Sequence, residues 1–137
     1  MDRVDDSGAI ATAEHFLDLY TYAVSSLSKK EFKAISADAC VFCNSVLKKV
    51  DERVEAGTHD IGGEMTYSAA TALHSDQNTY LVELTAVQRP SKTVTKTGSV
   101  VTNFPNTITA RMNILVRRTP NGWLVREGTV LSSQKKR

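Results

Sequence analysis

Two cysteines stand three residues apart in Cys40-Val41-Phe42-Cys43, and the chain has no others. Thiols at this spacing can form a short disulfide, act as a redox centre, or stay as two buried free thiols. Positions i and i+3 of a helical turn lie roughly 5 Å apart at Cα, within the reach of a disulfide. The loop so closed is tiny, and its entropic contribution is about 1–2 kcal/mol at most. The expected role is therefore a staple on the turn that leads into a helix. A thioredoxin-type centre needs a strand running into the Cys-x-x-Cys helix, whereas a polar break, Ser36-Ala37-Asp38, precedes this one. A structural zinc site wants four ligands, and no second pair exists, so no metal is expected. A disulfide here would imply an oxidising compartment.

Other side chains offer less. His15, His59 and His74 are scattered without ligand spacing. His74-Ser75-Asp76 contains an acid, a base and a hydroxyl, but adjacent turn residues point in different directions. No Gly-x-Ser-x-Gly nucleophile elbow occurs. Gly62-Gly63 lacks the partner glycines and lysine of a phosphate loop and reads as a bend. Glu127 alternates with Trp123 and Val125, which places it on the inner face of a strand. In an apolar pocket such a carboxyl would have a raised pKa and could act as a general base. The plainer reading is a Glu facing solvent or paired near Arg111 or Arg126. Tyr67 and Tyr80 could line the same concavity, so Tyr67, Tyr80, Trp123 and Glu127 form the candidate pocket. No catalytic set and no cofactor is expected.

At 137 residues the chain has one domain's worth of sequence. A formal net charge of +2 is too weak a bias to argue for nucleic acid. No stretch approaches the roughly 20 apolar residues of a membrane helix. The start, Met1-Asp2-Arg3-Val4-Asp5-Asp6, lacks both the basic and the apolar regions of a signal peptide. Either the protein begins there, or an export segment has been removed. Residues 1–9 and 133–137 are expected to be disordered flanks of a single domain over 10–132.

Helices come first. Ala13, Phe16, Leu17, Tyr20, Val24 and Leu27 keep helical spacing over Ala11–Leu27. Ser28-Lys29-Lys30-Glu31 reads as a capping box opening a short helix with Phe32 and Ile35. Asp38 is a candidate N-cap for a third helix, about Ala39–Ala56. Its face carries Cys43, Val46, Leu47, Val50 and Val54, with Lys48, Lys49, Asp51, Glu52 and Arg53 opposite. Gly57 ends it. Alternation then takes over. Met65, Tyr67, Ala69, Thr71 and Leu73 share one strand face. Tyr80, Val82, Leu84 and Ala86 share a second, and Ile108, Ala110, Met112, Ile114 and Val116 a third. Thr119-Pro120-Asn121-Gly122 turns the last of these into a closing strand with Trp123 near the tip. The stretch from Arg89 to Pro105 reads as a ragged hairpin end with a mobile loop.

Helices followed by antiparallel strands with one apolar face give an α+β class, helices packed on a curved antiparallel sheet. The arrangement resembles the cone of the nuclear-transport-factor-2-like (cystatin-like) superfamily, including a closing hairpin such as Arg117-Arg118-Thr119-Pro120-Asn121-Gly122-Trp123. It is also similar to an actinobacterial family of lipoprotein domains of unknown function. That likeness rests on Asp38-Ala39-Cys40-Val41-Phe42-Cys43 and on Tyr20-Thr21-Tyr22 in the first helix. The resemblance implies export and a lipid anchor outside this chain, hence a cell-surface location. The expected role is non-catalytic, binding a small ligand or an envelope protein, because the chain lacks the His–Asp spacing that an enzyme on this fold would need. Dimerisation through the sheet is common in look-alikes, and a homodimer is a further expectation. The alternatives are a small isomerase- or dehydratase-type enzyme with its pocket inside the cone, and a thiol–disulfide factor using Cys40 and Cys43.

Overall fold

A computed structural model describes residues 5–136. Three helices, α1 (Asp6–Ser26), α2 (Lys30–Ile35) and α3 (Val41–Ala56), precede seven strands. The strands are β1 (Thr58–Gly62), β2 (Met65–His74), β3 (Thr79–Gln88), β4 (Ser91–Thr95), β5 (Val100–Phe104), β6 (Thr107–Thr119) and β7 (Gly122–Lys136). All strand pairs are antiparallel, in the orders β2-β3-β6-β7 and β1-β4-β5. The class is the α+β arrangement expected.

The two sheets meet along a crease. β1 runs into β2 through Gly63-Glu64, β3 into β4 through Arg89-Pro90, and β5 into β6 through Pro105-Asn106. Each break therefore carries a residue that disfavours a continuous ladder. The prolines have no N–H to give. Gly62 and Gly63 both adopt φ +79°, which side chains resist. Backbone bonds stitch the crease, Gly63 N–H to the Pro90 carbonyl at 3.1 Å and Arg89 N–H to the Glu64 carbonyl at 3.0 Å. The stretch from Ser91 to Phe104 is thus two paired strands, not a mobile loop. Its weak alternation has a cause: a register shift between Thr93 and Val94 buries both.

Other boundaries also move. α1 starts at Asp6, because the Asp5 carboxylate accepts from Gly8 N–H at 3.0 Å as an N-cap. Ala9 is already fully buried. Residues 5–9 are therefore helix and cap; residues 1–4 lie outside the described residues. At the other end, Ser133, Gln134, Lys135 and Lys136 pair with β6, so the basic tail is strand as far as Lys136. Ser28 Oγ meets the Glu31 carboxylate at 3.4 Å rather than a backbone donor, and no side-chain bond caps α2. On β2 a register shift at Ser68/Thr71, with Ala69 at φ 52°, reverses the faces. Ala70 and Ala72 pack inward and Leu73 is exposed.

The core sits between the helices and the inner face of the larger ladder. Phe16 stacks on Phe32 at 4.8 Å and meets Phe42 at 5.9 Å. Val82, Leu84, Ile114, Val116 and Val125 are completely buried beneath them, as their alternation requires. Burial of each such side chain contributes about 1.5–3 kcal/mol.

A methyl group on Gly62 would lie 2.6 Å from the Pro90 carbonyl oxygen, whereas Gly98, at φ +90°, has nothing within 4 Å. Gly98→Ala is expected to cost about 1–2 kcal/mol from conformation alone. Gly62→Ala is expected to cost about 3 kcal/mol or more, because the clash with backbone is added. Urea unfolding compares them; equal losses would mean that close packing at the crease carries no weight.

Candidate functional site

Cys40 and Cys43 are joined by a disulfide, with Cα atoms 5.2 Å apart and both residues fully buried. Cys40 is the N-cap of α3, and its sulfur accepts from Cys43 N–H at 3.0 Å. Asp38 does not cap the helix; its carbonyl takes a bond from the Asn44 side chain at 2.9 Å. The remaining donors of the first turn are met from far along the chain. Glu127 Oε2 accepts from Val41 N–H at 2.9 Å, and Oε1 from Phe42 N–H at 3.0 Å. Oε1 also accepts from Gly128 N–H at 3.0 Å and lies 3.6 Å from Cys40 Sγ. One carboxylate on β7 therefore caps a helix 85 and 86 positions earlier in the chain.

These contacts make the Glu127 carboxylate a helix cap. Desolvation works to raise its pKa, but backbone donors from Phe42, Val41 and Gly128 outweigh it and hold the carboxyl below its usual value. An anion bound so firmly is a poor general base, and neither Arg111 nor Arg126 pairs with it; Arg111 pairs with Glu83 at 2.8 Å.

The other candidate pocket residues lie apart. Tyr80 is buried, its ring between His74 at 4.3 Å and Trp123 at 5.5 Å. Trp123 carries the Arg118 guanidinium 5.8 Å above its ring. Side chains thus fill the space behind Trp123. Tyr67 donates to Asp18 Oδ1 at 2.6 Å, linking β2 to α1. Burial, the Asp18 bond and charge, and the Glu14 charge all push its hydroxyl pKa upward. His74-Ser75-Asp76 is turn scaffolding. Ser75 N–H donates to the Thr79 carbonyl at 2.8 Å, and Asn78 N–H, at 2.9 Å, is the main influence holding the Asp76 carboxyl low.

A cavity of about 280 Å³ opens elsewhere, between α1, α3 and the inner face of the sheet. Leu17, Val46, Met65, Ala86, Ala110 and Met112 are among its apolar walls, and none of Tyr67, Tyr80, Trp123 or Glu127 lines it. Its origin is a row of short side chains. Ala86 pairs with Ala110, and Ala110 with Ser133, so three neighbouring strands present small residues at one level. One level deeper on the inner face Met112 lines the floor, paired with the fully buried Leu84.

The polar lining consists of Tyr20, Ser45, Lys49, Gln88 and Ser133. Lys49 is half-buried, not part of a solvated face as its sequence neighbours imply. Its Nζ donates to Tyr20 Oη at 2.9 Å and lies 5.2 Å from the centre of the same ring. No carboxylate or imidazole lines this cavity. Among the described residues no cluster of three or more His, Cys, Asp or Glu could hold a metal.

The model of the family of unknown function DUF6318 matches residues 1–129, and the chain belongs to that family. No curated protein matches it. Among solved structures, the intermembrane space region of chloroplast protein ARC6 is similar, with TM-score 0.70 and 17% identity over 95% of this chain and 98% of that one. A scytalone dehydratase candidate from Novosphingobium aromaticivorans gives TM-score 0.59 and 10% identity over 94% and 88% of the two chains. An uncharacterised protein with a cystatin-like fold from Caulobacter vibrioides gives 0.54 and 12% over 92% and 91%. These identities establish a shared fold, the cone expected.

Glu127→Gln keeps acceptor oxygen at the cap but removes the charge. It is expected to cost about 1–2 kcal/mol at neutral pH. The folded carboxyl sits below its ordinary value of 4.5, so its contribution is complete above that pH. It fades as pH falls through the lower folded value. Urea midpoints at about pH 7, 5 and 3 should show the two proteins converging in acid. A difference constant across that range would remove the charged cap.

Proposed function

We propose that this member of a family of unknown function is a non-catalytic binding domain that works outside the cytoplasm and takes a small, largely apolar ligand between its helices and its sheet. The observation that supports it is the cavity of about 280 Å³ walled by apolar side chains. Ligand sites typically start near about 300 Å³ and combine such walls with a few placed polar groups. The dehydratase-type alternative asks for a proton donor and acceptor facing the substrate. The cavity lining holds no carboxylate or imidazole for that work, and fold likeness does not supply a reaction. A thiol–disulfide factor needs sulfur that a partner can reach, and both cysteines here are fully buried.

Export draws on the disulfide, since reducing compartments keep thiols free, and on the resemblance to lipoprotein domains. In this reading a lipid anchor belongs to a segment outside this sequence, and an envelope protein is the proposed neighbour. Acid-quenching intact producing cells and alkylating under denaturing conditions, where burial no longer shields the thiols, is expected to find Cys40 and Cys43 unlabelled. Labelled cysteines there would return the chain to a reducing compartment and end the export reading.

The cavity itself is tested with N-phenyl-1-naphthylamine, an apolar probe that fluoresces when shielded from water. Saturable enhancement is expected with the native chain. Ala110→Phe, which fills the gap in the row of short side chains, should abolish it while the far-ultraviolet circular dichroism stays native. Enhancement that survives the filled cavity would place binding elsewhere.

A further inference from the structure

A second cavity, of about 290 Å³, adjoins the first; both are lined by Tyr20, Lys49, Gln88 and Ile108. The two differ in chemistry. The second adds Arg53, Asp60 and Lys135, with Ser91 and the backbone of the crease at Gly62-Gly63. Arg53 Nε donates to Asp60 Oδ1 at 2.8 Å, and Thr93 Oγ1 donates to the same oxygen at 2.8 Å. The one carboxylate is thereby committed to Arg53, and the charges of Lys49 and Lys135 are left over. No carboxylate among the described residues pairs with Lys49; its partner is a tyrosine hydroxyl.

From this we infer that the site takes an amphiphile: an apolar body in the first cavity and a small anionic head, such as a carboxylate, held at Lys49 in the second. The inference rests on the binding role proposed above and adds the charge of the ligand. Lys49 sits where the two spaces meet. An ammonium has three N–H donors, and the contact with Tyr20 uses one. Tyr20 Oη accepts that bond and keeps its own proton to donate. The pair thus offers an anion both charge and directed hydrogen bonds. No carboxylate lines the first cavity beside the Lys49 ammonium, and an incoming carboxylate would supply a charge-assisted partner. Register explains the placement: Met65 pairs with Gln88, Gln88 with Ile108 and Ile108 with Lys135, one row outward from the short side chains. The apolar body therefore lies deeper than the head.

Calorimetry with octanoate, 1-octanol and acetate tests the assignment on the native chain, Lys49→Met and Lys48→Met. Methionine keeps the lysine stem's packing and removes the charge, and Lys48 lies on the exposed face. Octanoate is expected to bind about tenfold or more tighter than octanol, with acetate undetected. Lys49→Met should erase that preference and leave octanol unchanged, while Lys48→Met keeps it. Equal affinity for octanoate and octanol in the native chain would overturn the anionic head and leave the apolar cavity standing. A preference that survives Lys49→Met would overturn the role of Lys49. Binding of neither amphiphile would overturn both this inference and the binding role on which it rests.

Discussion

The bond network at Glu127 is the constraint on which the arrangement of helices over sheet depends. The first turn of any helix has N–H groups without internal partners. In α3 two of these, on Val41 and Phe42, are met by one carboxylate from β7. The same strand accepts Ala37 N–H at the Val125 carbonyl, 2.8 Å away. β7 therefore grips the connection between α2 and α3 at two points, and the disulfide stiffens the turn between them. Phe42 is fixed by the same contacts: it meets Phe16 on one side and packs closely over Gly128, where a Cβ would stand 3.3 Å from its ring. The axis of α3, and with it the positions of Val46 and Lys49, follows from that anchor.

With the helices so held, the size of the space beneath them is decided by side-chain length on the sheet. Large residues at Leu84, Met112 and Ile114 fill one end of the cone. Alanine and serine at Ala86, Ala110 and Ser133 leave the next level open. Close packing elsewhere in the core makes this gap informative, because interiors rarely leave such space by default. The crease then turns the outer ladder over the open end, and its polar residues form the second chamber.

The helices, the strand faces of β3 and β6 and the closing hairpin were legible because period and burial agree there. Val82, Leu84, Ile114 and Val116 alternate in sequence and are all completely buried. The disulfide was legible because spacing alone brings the two sulfurs together. The bulge in β2 was not, since one residue at positive φ reverses a face without a glycine to mark it. The cavity was hidden for a related reason. Ala86, Ala110 and Ser133 are ordinary residues that gain meaning only when register aligns them. Lys49 sits among charged neighbours, and its long apolar stem allows the same residue to face inward. Glu127 falls at a register shift, opposite Leu115, and its partners are remote in sequence, so no local pattern distinguishes a base from a cap. Breakers at Gly62-Gly63, Pro90 and Pro105 were all visible; their alignment into a single fold line was not.

The distance in sequence between Glu127 and the helix it holds also orders events during biosynthesis. The ribosome delivers Val41 and Phe42 long before β7, so these donors must wait, bonded to water, until the last strand emerges. Cys40 and Cys43 need no such delay, because their loop closes locally. Once the chain meets an oxidising compartment the bond can therefore close before docking, leaving a pre-formed elbow to which the final hairpin adds. Contacts between remote segments are entropically late in any chain, and here the latest of them completes the seat of α3. A chain ending before β7 would lack the carboxylate that Val41 and Phe42 donate to, and α3 would be without that part of its seat.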